Sequence, residues 1–86
     1  MLGVRVIYLP LVDFHRLILS KAVHTLTIVE TSSSGVFVKL PQPDYDVILA
    51  DGATPTVPMA FPDLQAAARF VTKTFSVRRA FFELQS

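Results

Sequence analysis

Residues 24–40, HTLTIVETSSSGVFVKL, decide how the rest of this chain is read. Two runs rich in β-branched residues flank three serines and a glycine, the pattern of two β-strands joined by a short turn. Alternate residues of a strand face opposite sides of a sheet. Leu26 and Ile28 therefore share a face of the first strand, and Val36, Val38 and Leu40 share a face of the second. Both sets reach one core only if residue numbers paired across the hairpin have an even sum, which requires a loop of three or five residues. A two-residue Ser33-Ser34 turn would point Leu26 and Ile28 the wrong way, and serine is poor at the positive φ that such turns demand. Gly35 accepts positive φ, which suits a three-residue loop ending in a left-handed glycine. The other face carries Thr25, Thr27, Val29, Phe37 and Lys39. Val29 beside Phe37 is more apolar than a wet face needs, so this pair is the candidate oligomer contact.

Working outward, residues 4–9, VRVIYL, read as a strand that Pro10 ends, because proline cannot donate to a ladder. Residues 11–22 change period: Leu11, Phe14, Leu17 and Ile18 fall at helical spacing, with Asp13, Arg16 and Ser20 on another side. After the hairpin, Pro41-Gln42-Pro43 makes a stiff exit. Residues 45–50, YDVILA, form a third strand candidate that is apolar on both faces, as a strand buried on both sides is. Asp51-Gly52 suits a type I′ turn, and the return segment 53–61 is confined to a sheet edge or an extended loop by Pro55 and Pro58. Pro62-Asp63 starts a second helix with Asp63 as its cap and Leu64, Ala67, Ala68 and Val71 as its apolar stripe. Residues 77–84, VRRAFFEL, read as a final strand, with a helix continuing towards residue 86 as the alternative.

The fold class expected is α+β over residues 1–86 as one domain: a small antiparallel sheet with two helices packed on one face. Setting aside residues 41–61 as an insertion leaves βαββαβ, the ferredoxin-like order.

Hydrophobic residues make up 51% of the 86 and charged residues only 17%, against roughly 25% charged in an average domain. A chain this short exposes a large share of its surface, so that much apolar content points to burial against a second copy or another partner. With no cysteine, disulfides, thiol nucleophiles and cysteine-based zinc sites are excluded. The apolar first 22 residues are broken by Pro10, Asp13, His15 and Arg16, unlike a signal peptide, and no apolar run is long enough to span a membrane. The expectation is a cytoplasmic protein without membrane contact.

Chemistry is sparse. His15 and His24 share no helical metal spacing, and Asp13 lies two positions from His15, where helical side chains diverge. Asp44, Asp46 and Asp51 lack calcium-loop spacing and read as strand-start and turn residues. The three glycines are too scattered for a phosphate loop, and no serine sits in a nucleophile elbow. No cofactor, metal site or catalytic residue is expected.

Charge is more informative. Residues 40–68 contain four aspartates and no lysine or arginine, whereas Arg69, Lys73, Arg78 and Arg79 follow closely. Arg69 and Lys73 lie one helical turn apart, and with the two arginines they are candidate phosphate contacts for a nucleic acid. The net charge of only +1 argues against a dedicated nucleic-acid binder. The stretch 35–40, GVFVKL, holds a single aromatic and departs from the stacked-aromatic signature of RNA-recognition domains. The leading expectation is a small non-enzymatic interaction or regulatory module that self-associates. The alternatives are a nucleic-acid-binding protein using the basic C-terminal face, and a small enzyme or ligand-binding module joining His15 or His24 to segment 44–51.

Overall fold

The computed structural model describes residues 5–23, 25–32, 35–54 and 56–85; His24, Ser33, Ser34 and Pro55 lie outside the described residues. The elements run β1 (Arg5–Leu9), α1 (Leu11–Ser20), β2 (Thr25–Thr31), β3 (Gly35–Pro41), β4 (Tyr45–Leu49), α2 (Leu64–Phe75) and β5 (Arg79–Gln85). The five strands form one mixed sheet in the order β1-β4-β3-β2-β5.

The β2–β3 hairpin pairs Thr27 with Lys39, Ile28 with Val38 and Val29 with Phe37, the even-sum register that parity requires. Three residues separate the strands, and Gly35 opens β3 at φ +76° while paired to Thr31. The glycine thus sits in the left-handed conformation expected of it, one position inside the ladder. Leu26, Ile28, Val36, Val38 and Leu40 all enter the main core with Val47 and Leu49 of β4, Phe14 and Ile18 of α1, and Ala67, Val71 and Phe75 of α2. Both helices lie on this side, α1 over β1 and β4, α2 over β2 and β3. Where they meet, Phe14 and Phe75 have ring centroids 5.5 Å apart, and Phe75 leads on through Phe70 to Phe61 at 5.8 and 5.1 Å.

Helix α2 begins as its sequence specifies. The Asp63 carboxylate accepts from the Ala66 N–H at 2.8 Å, satisfying one of the first-turn donors. It ends at Ser76, which adopts φ 56°, ψ 33°, and the chain then forms β5 rather than continuing as helix. Alanine at 67, fully buried, lets α2 approach the sheet closely.

Two expectations about the sheet need correction. The sheet is mixed, since β1 pairs with β4 and β2 with β5 in parallel. A helical crossover returns the chain in its starting direction, so β1-α1-β2 and β4-α2-β5 each produce two parallel strands. Nor is segment 41–61 an insertion into a ferredoxin-like order: its strand β4 lies inside the sheet between β1 and β3. Val47, Ile48 and Leu49 are all buried, and a strand apolar on both faces belongs in an interior position.

The return from β4 is an extended loop. Gly52 lacks the positive φ of a type I′ turn; instead the Asp51 carboxylate accepts from the Ala53 N–H at 3.0 Å, and the Asp51 N–H donates to the Val57 carbonyl at 2.8 Å. Met59 then donates to Leu49 and Phe61 to Val36, stitching the loop to the end of the sheet.

Two substitutions test the left-handed positions in opposite directions. Gly35→Ala is expected to cost about 1 kcal/mol from backbone strain alone, because the added Cβ would meet nothing closer than the Phe61 carbonyl at 3.8 Å. Ser76→Gly is expected to stabilise by roughly 0.5–1 kcal/mol. Urea unfolding midpoints at constant m-value read both.

Candidate functional site

Among the described residues no helix covers the second face of the sheet, and its own side chains close it. Val29, Phe37 and Ile48 form a small second core with Tyr8 packed against it. Val29 is 0% and Phe37 7% exposed, so the pair expected at a subunit contact is already enclosed within the single chain. The closing device includes a lysine. Lys39 Nζ lies 3.0 Å from Glu83 Oε1 and 3.8 Å from Asp46 Oδ2, with its side chain only 12% exposed. Because β3 and β5 flank β2, the Lys39 side chain must span β2 to reach Glu83, laying its aliphatic stem across the middle of the face. Thr27, directly opposite Lys39 in the ladder, is buried there.

The most exposed apolar side chains of the sheet lie on the edge strand β5. Parallel pairing aligns Leu26 with Ala80 and Ile28 with Phe82, and Thr27 with Phe81 and Val29 with Glu83. Ala80, Phe82 and Leu84 therefore face the helix side, while Arg79, Phe81 and Glu83 face the open side. Since α2 stands over β2 and β3, β5 projects beyond the helical cover. Phe81 is 62%, Phe82 59% and Leu84 79% exposed. Among the described residues, the backbone of β5 bonds to β2 on one side only. The other edge strand, β1, exposes Val6 and Ile7 less, at 45% and 40%, while Val12 and Leu19 on α1 and Val57 in the loop lie off the strands.

The four basic residues do not converge on one surface. Arg69 and Lys73 stand on exposed positions of α2, in the helical layer, while Arg79 opens β5 on the opposite face of the sheet. Arg78 lies in the turn between them. Gln65, Ala68, Arg69, Thr72 and Lys73 line a shallow open depression of about 450 Å³ whose named walls all come from α2. The groups required for a joint catalytic or ligand site are likewise apart. His15 packs edge-on to Phe75 at 5.3 Å on the helix side, whereas Asp46 joins Lys39 on the open face and Asp51 is occupied in its turn. His24, the other histidine of that reading, is outside the described residues. Among the described residues, no group of three His, Cys, Asp or Glu is placed to hold a metal ion, and no helix is long and apolar enough to cross a membrane.

Compared with known families, curated proteins and solved structures, the chain matches none of them.

The β5 surface had a signal in the sequence: AFFEL is apolar on both faces, as YDVIL is. What residue order does not reveal is that one such strand is enclosed by neighbours and the other is left at an edge.

Lys39 separates two contributions. Lys39→Met keeps an apolar stem over β2 but leaves Asp46 and Glu83 without the ammonium, for an expected loss of about 1 kcal/mol, given partial exposure of the pair. Lys39→Ala also uncovers apolar surface and is expected to cost about 1 kcal/mol more. Equal unfolding midpoints for the two variants would show that the stem covers nothing.

Proposed function

We propose that this chain is a small non-enzymatic interaction module that self-associates, with β5 as its contact. The observation carrying the reading is a strand of interior composition at an edge position. Strand β4 places Val47, Ile48 and Leu49 on both faces, and neighbours on either side bury all three. Strand β5 carries Ala80, Phe81, Phe82 and Leu84 on both faces with a neighbour on one side. Natural sheets blunt their edges with short strands, prolines or dense charge. By contrast β5 has seven residues, no proline, and charges only at Arg79 and Glu83. Such an edge is a template for pairing with another chain. The low charged fraction of the sequence, 17%, supports the same reading.

A nucleic-acid partner is the second reading, and one observation favours it. Among the described residues, no ion pair involves Arg69 or Lys73, so both ammonium and guanidinium groups are available to phosphates. With Arg79 on the other face, that surface reduces to α2 and the turn at Arg78. An anisotropy titration of labelled single- and double-stranded oligonucleotides at low salt tests it; binding that weakens in Arg69→Ala/Lys73→Ala and with added salt would support it.

Sedimentation velocity from low to high micromolar concentration tests the leading proposal. The wild-type mass is expected to rise with concentration, and Phe82→Ser/Leu84→Ser is expected to remain monomeric. Because both side chains are mostly exposed in the protomer, that variant should keep its unfolding free energy within about 0.5 kcal/mol. A wild-type chain that stays monomeric throughout would end the proposal.

A further inference from the structure

We infer that two copies join β5 to β5 about a two-fold axis, with Phe81 opposite the partner's Phe81, to form one continuous ten-stranded sheet. The inference rests on the self-association just proposed and specifies its geometry.

Parity again limits the choices. Identical edge strands related by a two-fold axis run antiparallel, and the axis stands perpendicular to the sheet, so both helical layers fall on the same side. Residues directly opposite must then face the same side, and the axis must pass through a residue rather than between two. Within β5 the central candidates are Phe81 and Phe82.

Charge chooses between them. With the axis at Phe81, Arg79 lies opposite the partner's Glu83 and Glu83 opposite the partner's Arg79, so two ion pairs flank a Phe81 pair on the open face. On the helix side Ala80 meets the partner's Phe82, a small residue against a large one. With the axis at Phe82, Glu83 would lie opposite the partner's Phe81, setting a carboxylate against a ring, and Arg79 would lose its acidic partner. The Phe81 axis also extends the charge cluster already present. Asp46, Lys39 and Glu83 run across the open face in alternating sign, and the partner's Arg79 continues the alternation beyond Glu83. Every charge in the row then has an opposite neighbour. The edge is complementary to itself in a single register.

Two measurements on the full chain test this. The first uses charge reversal. Arg79→Glu alone sets glutamate against glutamate twice, and Glu83→Arg alone sets arginine against arginine twice. Each is expected to weaken self-association at least about tenfold. An equimolar mixture of the two restores both pairs as a mixed dimer. The second uses cross-linking, which is clean because the chain has no cysteine. A disulfide requires Cα atoms about 4.4–6.8 Å apart, and only the residue on the axis lies opposite itself. Phe81→Cys is expected to oxidise to a covalent dimer, Phe82→Cys to remain largely monomeric, and Ala80→Cys mixed with Phe82→Cys to cross-link. Phe81 is mostly exposed in the protomer, so this variant folds independently of whether Glu83→Arg does. A wild-type dimer that ignores both charge reversals, or cross-links through Phe82→Cys in preference to Phe81→Cys, would overturn the register and leave self-association standing. Mass growing beyond a dimer would overturn the two-fold arrangement, and a strict monomer would overturn both proposals.

Discussion

Backbone pairing of β2 with β3 sets Ile28 beside Val38 and Val29 beside Phe37, and the remaining architecture depends on that alignment. Slipping it by one residue would turn one strand's buried set over to the other face. In the observed register a single helical layer suffices for one side, with Leu26, Ile28, Val36, Val38 and Leu40 meeting α1 and α2. The other side receives no helix among the described residues. It is closed instead by Tyr8, Phe37 and the reach of Lys39 across β2. One alignment thus divides the sheet into a face packed by separate elements and a face packed by its own side chains.

Much of this was legible in residue order. Hairpin parity, the Gly35 turn, the Asp63 cap and the α2 stripe each follow from a local rule acting on a few residues. The α+β class followed from summing them. The strand order was not legible, because it depends on which distant segments meet. A helix of ten or twelve residues between strands permits either a neighbouring or a distant return. The composition of YDVIL held the clue that it is interior, and treating its segment as an insertion worked against that clue. The Val29–Phe37 pair illustrates a different gap. Its apolar character correctly signals cover, but residue order does not say whether the cover comes from another chain or from a lysine stem within the same one.

Magnitudes bear on how β5 acts. Burying one exposed Phe or Leu fully is worth roughly 1.5–3 kcal/mol. Bringing two chains together costs roughly 4–15 kcal/mol in lost freedom. No one of Phe81, Phe82 and Leu84 holds two copies together, and a contact built on this edge needs them jointly with backbone hydrogen bonds. Lys39 ties this edge to the interior, since its ammonium bonds to Glu83 of β5 while its backbone belongs to β3.

The two parallel crossovers also shape how the molecule forms. β2 meets β3 after a three-residue connection, whereas β1 waits for β4, aligning Arg5 with Tyr45, and β2 waits for β5, aligning Thr25 with Arg79. Closing such long loops is slow compared with zipping a hairpin. The hairpin is expected to pair first, and β5, joined through the longer of the two closures, to dock later. During that interval Phe81 and Phe82 belong to a segment with no strand on either side, and unpaired apolar segments of that kind are prone to aggregate.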